Sequence, residues 1–353
     1  MTEIASVVEW GTGRPAPGRH RPADVTATVV LADAAHLPAL LAAPFCGPGT
    51  TVLCPTAQDG PEPGTLTVRD EVRIVSYRGD LAGDDGGEAA LHPDVWLSTL
   101  PYAQHNGPSW EAGTGITGPT LLRVTDDADL YAYLADADRA RTHGIFPGLP
   151  THPAAQCADH TALGAPATGD GPRLRLYVRP DGQVAVTPGG APVGDLSCGL
   201  GALESAWAAV APVGPEALRR PWLGRYLAAA EAVRAARSRG LADLRVSGFG
   251  TRLNPLLDPE RGVDREDPHL PLLLWSGDVA QIHDPRSGRI LRLSADTTPA
   301  AEALLATGSC RAAARYADLS TVKAVDVYFS ATGIPLTAPP LSSASTRPEE
   351  PVR

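Results

Sequence analysis

The sequence predicts an α+β protein of more than one domain. Three observations carry this. The chain has 353 residues, 43% hydrophobic and 20% charged, enough to bury two or three cores. Short β-branched runs alternate with helical spacing through the first two hundred residues. Between residues 270 and 336, three strand-like segments are followed by three helix starts.

In the N-terminal region a Pro- and Gly-rich lead-in precedes VTATVVLA (25–32), a β-branched run suited to a buried strand. DAAHLPALLAAPF then reads as helix and TTVLCP (50–55) as strand, a βαβ order. Its glycine loop, CGPGT, follows the helix and not the first strand, so the phosphate-cradling turn of a nucleotide fold is missing. Strands are expected at 65–77 (TLTVRDEVRIVSY) and 119–125, with the acidic GDLAGDDGGEAALHPD as a loop between them. A helix is expected from about Asp127 to Thr142, with aspartates in its first turn where the macrodipole favours them. Leu174, Leu176 and Val178, then Val184 and Val186, alternate about Asp181-Gly182, which predicts a hairpin. GALESAW opens the next helix. RPWLGRYLAAAEAVRAARSRGL (220–241) places Leu223, Leu227, Ala230 and Val233 at helical spacing.

These readings divide the chain into an N-terminal α/β scaffold (1–210), a helical linker with a strand and loop (211–265), a C-terminal module (266–336) and a Pro/Ser-rich tail (337–353) expected to be disordered. In the module, Leu270–Trp275, Val279–His283 and Arg289–Leu293 are the strands, with Asp284-Pro285-Arg286-Ser287-Gly288 as the turn before the third. Thr298 is expected to cap the first helix, with Pro299 at its opening position and Gly308 past its end. Ser309 would cap the second helix and Ser320 the third, which runs toward Gly333. This is the element order of a winged helix-turn-helix.

The formal net charge is −10, which repels a phosphate backbone and argues against nucleic acid as a partner. A DNA-reading helix also needs Arg, Asn or Gln near its start, and STVKAVDVYF offers only Lys323. No apolar run is long enough to span a bilayer and no signal segment is visible, so the expected location is cytoplasmic. The five cysteines (Cys46, Cys54, Cys157, Cys198, Cys310) are scattered without paired spacing and read as reduced thiols.

Motifs for catalysis are weak. GTGITG (113–118) has the spelling of a dinucleotide loop, but a proline and a strand follow it where a helix is required. SGFGTRL (247–253) fails similarly, since Pro255 breaks the chain. His143, His152, Cys157 and His160 are of metal-binding types, yet they lack helical pairing or a knuckle. No cofactor, metal or enzymatic role is expected. The alternatives are a peptide-modifying enzyme with a metal in 143–160, and a winged-helix DNA-binding regulator.

A binding role fits the module better. Alternation puts Leu291 and Leu293 on one face of the third strand, Ile290 and Arg292 on the other. That strand lies at the end of a small sheet, and an unpaired edge beside an apolar helix accepts an extended peptide. Val322, Val325 and Phe329 form the helix stripe, with Lys323 and Asp326 beside it. The competing interpretation is that the stripe packs the core. Arg286, Arg289 and Arg292 along the hairpin would draw in an acidic peptide.

IHDPRSGRILRLS with AEALLATGS resembles the PqqD-like recognition element of ribosomally made, post-translationally modified peptides. VVLADAAHLPALLAAPFCGPGTTVL, ADADRARTHGIFPGLPTHPA and LRLYVRPDGQVAVTPGGAPVGDL resemble the recognition proteins of daptide biosynthesis. The resemblance implies a noncatalytic protein. It would bind the precursor's leader segment as an added strand, with residues 289–293 facing 322–329. It would then hand the precursor to an oxidative decarboxylase, an aminotransferase and a methyltransferase acting on its C-terminus.

Overall fold

The structure is a computed structural model describing residues 2–15, 23–82, 86–103, 116, 118–167, 169–210 and 215–337. The chain is mixed α and β and forms two compact units, Met1–Arg139 with Ile145–Arg239, and Ala140–Gly144 with Gly240–Arg353. The expected linker at 211–265 thus divides between them, its second half joining the C-terminal unit. The tail at 338–353 and most of the GTGITG loop lie outside the described residues.

In the first unit β1 (Thr28–Leu31) and β2 (Thr51–Pro55) pair in parallel. A 3-10 turn and α2 (Leu37–Leu41) connect them, completing the βαβ unit. The run read as one strand over 65–77 folds instead into a hairpin of β3 (Leu66–Arg69) and β4 (Val72–Gly79). Asp70 and Glu71 make its two-residue turn, with φ of 49° and 63°. The acidic stretch expected to be loop contains β5 (Gly87–His92), paired with β6 (Val95–Pro101). Ala89, Ala90 and Leu91 are buried there, because three small apolar residues suffice for a strand packed on its neighbours. β7 (Thr120–Arg123), α3 (Asp127–His143) and β8 (Ala155–Cys157) follow, with β6, β7 and β8 parallel. β9 (Arg175–Val178) and β10 (Gln183–Ala185) form the expected hairpin, with Gly182 at φ 83°. β11 (Pro192–Asp195) extends it, and α4 (Leu200–Ala209), α5 (Pro215–Arg219) and α6 (Leu223–Arg237) complete the unit.

The strands form one mixed sheet in the order β11-β10-β9-β1-β2-β4-β5-β6-β7-β8, with β3 also on β4. Each face has its own core. One gathers Val29, Leu31, Val52, Ile74, Leu176 and Val178 beside Phe45 and Leu203.

The other face holds α1 (Thr2–Thr12), an element within the segment read only as lead-in. Val7 and Trp10 pack among Val30, Leu53, Val75, Leu97, Leu121 and Tyr177. Because α1 touches both β9 and β7, which are far apart in the strand order, the sheet curls around this helix. Trp10 Nε1 donates to the Leu176 carbonyl at 3.0 Å. A Cβ on Gly11 would lie 2.3 Å from Leu121 Cδ1, so any larger residue there would force the leucine side chain to shift.

The C-terminal end of α1 is capped from within the unit. Asp159 N and His160 N donate to the Gly11 and Thr12 carbonyls, each at 3.0 Å. The buried Arg175 donates to the Trp10 carbonyl at 2.8 Å, to Asp159 at 2.7 Å and, through two nitrogens, to Asp170 at 2.7 and 2.9 Å. A cation at a helix C-terminus is favourable, and here it also ties α1 to β9 and to the chain after β8.

The second unit contains an antiparallel sheet in the order β12 (Arg245–Val246), β13 (Leu272–Ser276), β14 (Val279–His283), β15 (Ile290–Leu293). β12 makes it four-stranded. α7 (Thr298–Thr307), α8 (Cys310–Ala313) and α9 (Leu319–Ala331) follow. Gly308 ends α7 at φ 71°, and the Ser309 hydroxyl caps α8 as expected. For α9 the cap is Asp318, not Ser320: its carboxylate accepts from Thr321 N at 2.9 Å and from the Ser320 hydroxyl. The helix therefore starts one residue before Ser320, at Leu319.

SGFGTRLNP forms a buried polar clasp on α7. Glu302 is fully buried and accepts from Ser247 Oγ at 2.7 Å, Leu253 N at 2.7 Å and Asn254 N at 2.6 Å. Arg252 Nη1 reaches Ser247 Oγ at 3.0 Å and forms a bidentate pair with Asp264 at 2.6 and 3.0 Å. These bonds hold residues 247–264 to the C-terminal unit.

Candidate functional site

The geometry of the β14–β15 hairpin fixes which backbone groups face outward. Asp284 N donates to the Arg289 carbonyl at 2.9 Å, and Gly288 N to the Asp284 carbonyl at 2.8 Å. The Asp284 carboxylate steadies the turn by accepting from Arg286 N and Ser287 N, both at 3.2 Å. Arg289 thus turns its carbonyl toward β14. In an antiparallel ladder the inward and outward residues alternate, so Leu291 and Leu293 face β14, and Ile290 and Arg292 direct their N–H and C=O groups away from it. Among the described residues β15 pairs with β14 alone. Four backbone groups therefore line its outer edge.

Cross-strand register assigns the faces. Leu291 lies opposite Ile282 and Leu293 opposite Ala280, and both pack half-buried against the core under α7 and α9. Ile290 lies opposite His283 and Arg292 opposite Gln281, on the other face. Arg286, Arg289 and Arg292 are exposed. Arg289 Nη1 donates to the Thr332 carbonyl at 2.7 Å, joining the start of β15 to the C-terminal end of α9. Arg286 and Arg292 have no ion-pair partner among the described residues.

The helix side of the expected groove needs correction. Val322, Val325 and Phe329 are 0%, 4% and 1% exposed and pack with Leu273, Ile282, Ala301, Leu304 and Leu305. They are the core of the unit, so they cannot line an open groove unless that core separates. Asp326 is turned to α8, where the Cys310 thiol lies 3.2 Å from its Oδ2. Lys323 is exposed, and at 3.6 residues per turn it projects on the same flank as Asp326. The opposite flank carries Tyr328, about 200° around the helix from Asp326 and 56% exposed. Tyr328 precedes Thr332 by about one turn. Its place in the sequence carries a signal, since it sits beside Phe329 but off the 322–325–329 spacing.

Of the metal-binding residue types in 143–160, Cys157 and His160 are buried. Burial pushes the Cys157 thiol up to about 12 and, with Arg14 and Arg175 nearby, drives His160 down to about 3. His152 Nδ1 accepts from Ala154 N at 3.2 Å, and His143 ends α3. Among the described residues no group of three or more His, Cys, Asp or Glu side chains is arranged to hold a metal ion. No described helix is long and apolar enough to cross a membrane. No protein-family model, curated protein or solved structure matches this chain.

Proposed function

We propose that the chain is a noncatalytic recognition protein that binds an extended peptide by adding it as a strand to β15. The observation carrying this reading is the outer edge of β15, where the N–H and C=O groups of Ile290 and Arg292 face away from the sheet. An unpaired edge of this kind is a template for another chain, and main-chain hydrogen bonds supply affinity while side-chain positions supply selectivity. Exposed arginines along the hairpin favour encounter with an acidic peptide in a protein whose net charge is −10.

Under this proposal the C-terminal unit is a winged-helix recognition element of the kind that the IHDPRSGRILRLS segment resembles. Its ligand is the leader of a ribosomally made precursor, and its partners are the daptide-type decarboxylase, aminotransferase and methyltransferase. Tethering raises the local concentration of peptide at such enzymes to about the millimolar range without any catalytic group in the tether. The first unit would serve as the scaffold on which the enzymes dock.

Amide hydrogen exchange on the full chain tests the reading, with and without precursor peptides encoded beside its gene. Protection of the Ile290 and Arg292 amides on binding supports it. Binding that protects other amides and leaves these two exchanging freely refutes it.

A further inference from the structure

The strand-addition reading leaves open which peptide the edge selects, and the face assignments of β15 constrain that choice. An added strand places each residue on the same face as the β15 residue opposite it. Opposite Leu291 and Leu293 the peptide side chain turns to the helix side, beside half-buried leucines. Opposite Ile290 it meets a half-buried isoleucine. Opposite Arg292 it meets an exposed guanidinium with no ion-pair partner among the described residues.

A second donor lies beside that guanidinium. Gln281 is directly across from Arg292 on β14 and 4% exposed, yet its Nε2 has no hydrogen-bond acceptor among the described residues. Buried side-chain nitrogens normally have acceptors. The exposed Arg292 thus stands on the same face as a buried amide that has no acceptor among the described residues.

We infer that the edge selects a peptide with a carboxylate opposite Arg292 and apolar side chains opposite Leu293, Leu291 and Ile290. This rests on the proposed strand addition. Antiparallel pairing is the more stable per residue, and it runs the peptide from Leu293 toward Ile290. The recognised segment then reads, from N- to C-terminus, apolar, acidic, apolar, apolar.

The test is selection of a displayed library of random dodecapeptides on the immobilised full-length protein, repeated on Arg292→Glu and on Gln281→Leu. Exchange measurements on the selected peptides then report whether they sit on β15. Opposite charges across a strand pair attract and like charges repel, so reversal at Arg292 should change the preference by up to about thirtyfold. The expected result is enrichment of the apolar-acidic-apolar-apolar order on the native protein. On Arg292→Glu a basic residue should replace the acidic one, and on Gln281→Leu the acidic preference should weaken while the fold is retained. Peptides that protect Ile290 without an acidic preference, or whose preference survives Arg292→Glu, overturn the inference and leave strand addition standing. The reverse order of residues overturns the antiparallel assignment. If no selected peptide protects the β15 edge, both readings fail.

Discussion

Replacing Glu302 with alanine should cost the C-terminal unit a large part of its stability. The carboxylate lies fully buried on α7 and holds Ser247 Oγ, Leu253 N and Asn254 N. The serine hydroxyl can rotate toward other acceptors, but the two amides are fixed by the chain. Each buried donor left without an acceptor costs about 1–3 kcal/mol, so Glu302→Ala should destabilise by about 2–6 kcal/mol. That is comparable with the whole stability of many domains, about 5–15 kcal/mol. Glu302→Gln keeps one acceptor oxygen but turns an amide NH2 toward one donor, and should cost roughly half as much. Urea titration followed by hydrogen exchange in the peptides spanning α7 to α9 isolates the effect to this unit. A midpoint for Glu302→Ala equal to that of the native protein would refute the claim that this clasp secures residues 247–264.

Other consequences follow from groups in both units. His160 is buried neutral with its pKa lowered to about 3 from an ordinary 6.5, so protonation favours the unfolded chain. Its contribution is complete above pH 6.5 and is lost as pH falls toward 3, at about 1.4 kcal/mol per pH unit. His160→Asn should flatten that part of the stability profile measured by urea titration between pH 7 and 4. Trp10→Ala should destabilise the first unit by about 3–5 kcal/mol in chemical denaturation, because the ring fills the interior of the curled sheet; a loss under 1 kcal/mol contradicts that placement. In the C-terminal unit, Val325→Asp buries a charge in the core and should unfold the helices by circular dichroism.

Much of the architecture was legible in the sequence where period and turn chemistry agree. Asp181-Gly182 set the β9–β10 hairpin, Asp284 to Gly288 set the turn before β15, and Gly308 ended α7. What the sequence concealed was structure decided by distant partners. TEIASVVEWGT is amphipathic at helical spacing and so was legible as α1, but its position depends on Arg175, Asp159 and a sheet that closes around Trp10. The β3–β4 turn uses Asp70 and Glu71 where glycine is the usual marker, so one strand was read where two exist. In the candidate site, alternation located the faces of β15 correctly. The apolar stripe of α9 was legible, but periodicity alone does not say whether a stripe faces a core or a ligand. Burial assigns Val322, Val325 and Phe329 to the core and leaves Tyr328 on the flank. Glu302 and Gln281 were invisible because their importance lies in which donors surround them.

The central claim is that the outward N–H groups of β15 bind a peptide backbone. Proline at position 290 removes one of them without breaking the inner ladder, since prolines are tolerated on edge strands with the N–H side facing solvent. The direct measurement is the affinity of Ile290→Pro for a peptide that protects the β15 edge, compared with Ile290→Val. The account predicts at least a fivefold loss for proline, the equivalent of one hydrogen bond of about 1 kcal/mol, with little change for valine and an intact fold in both. Equal affinity for proline and valine would contradict it.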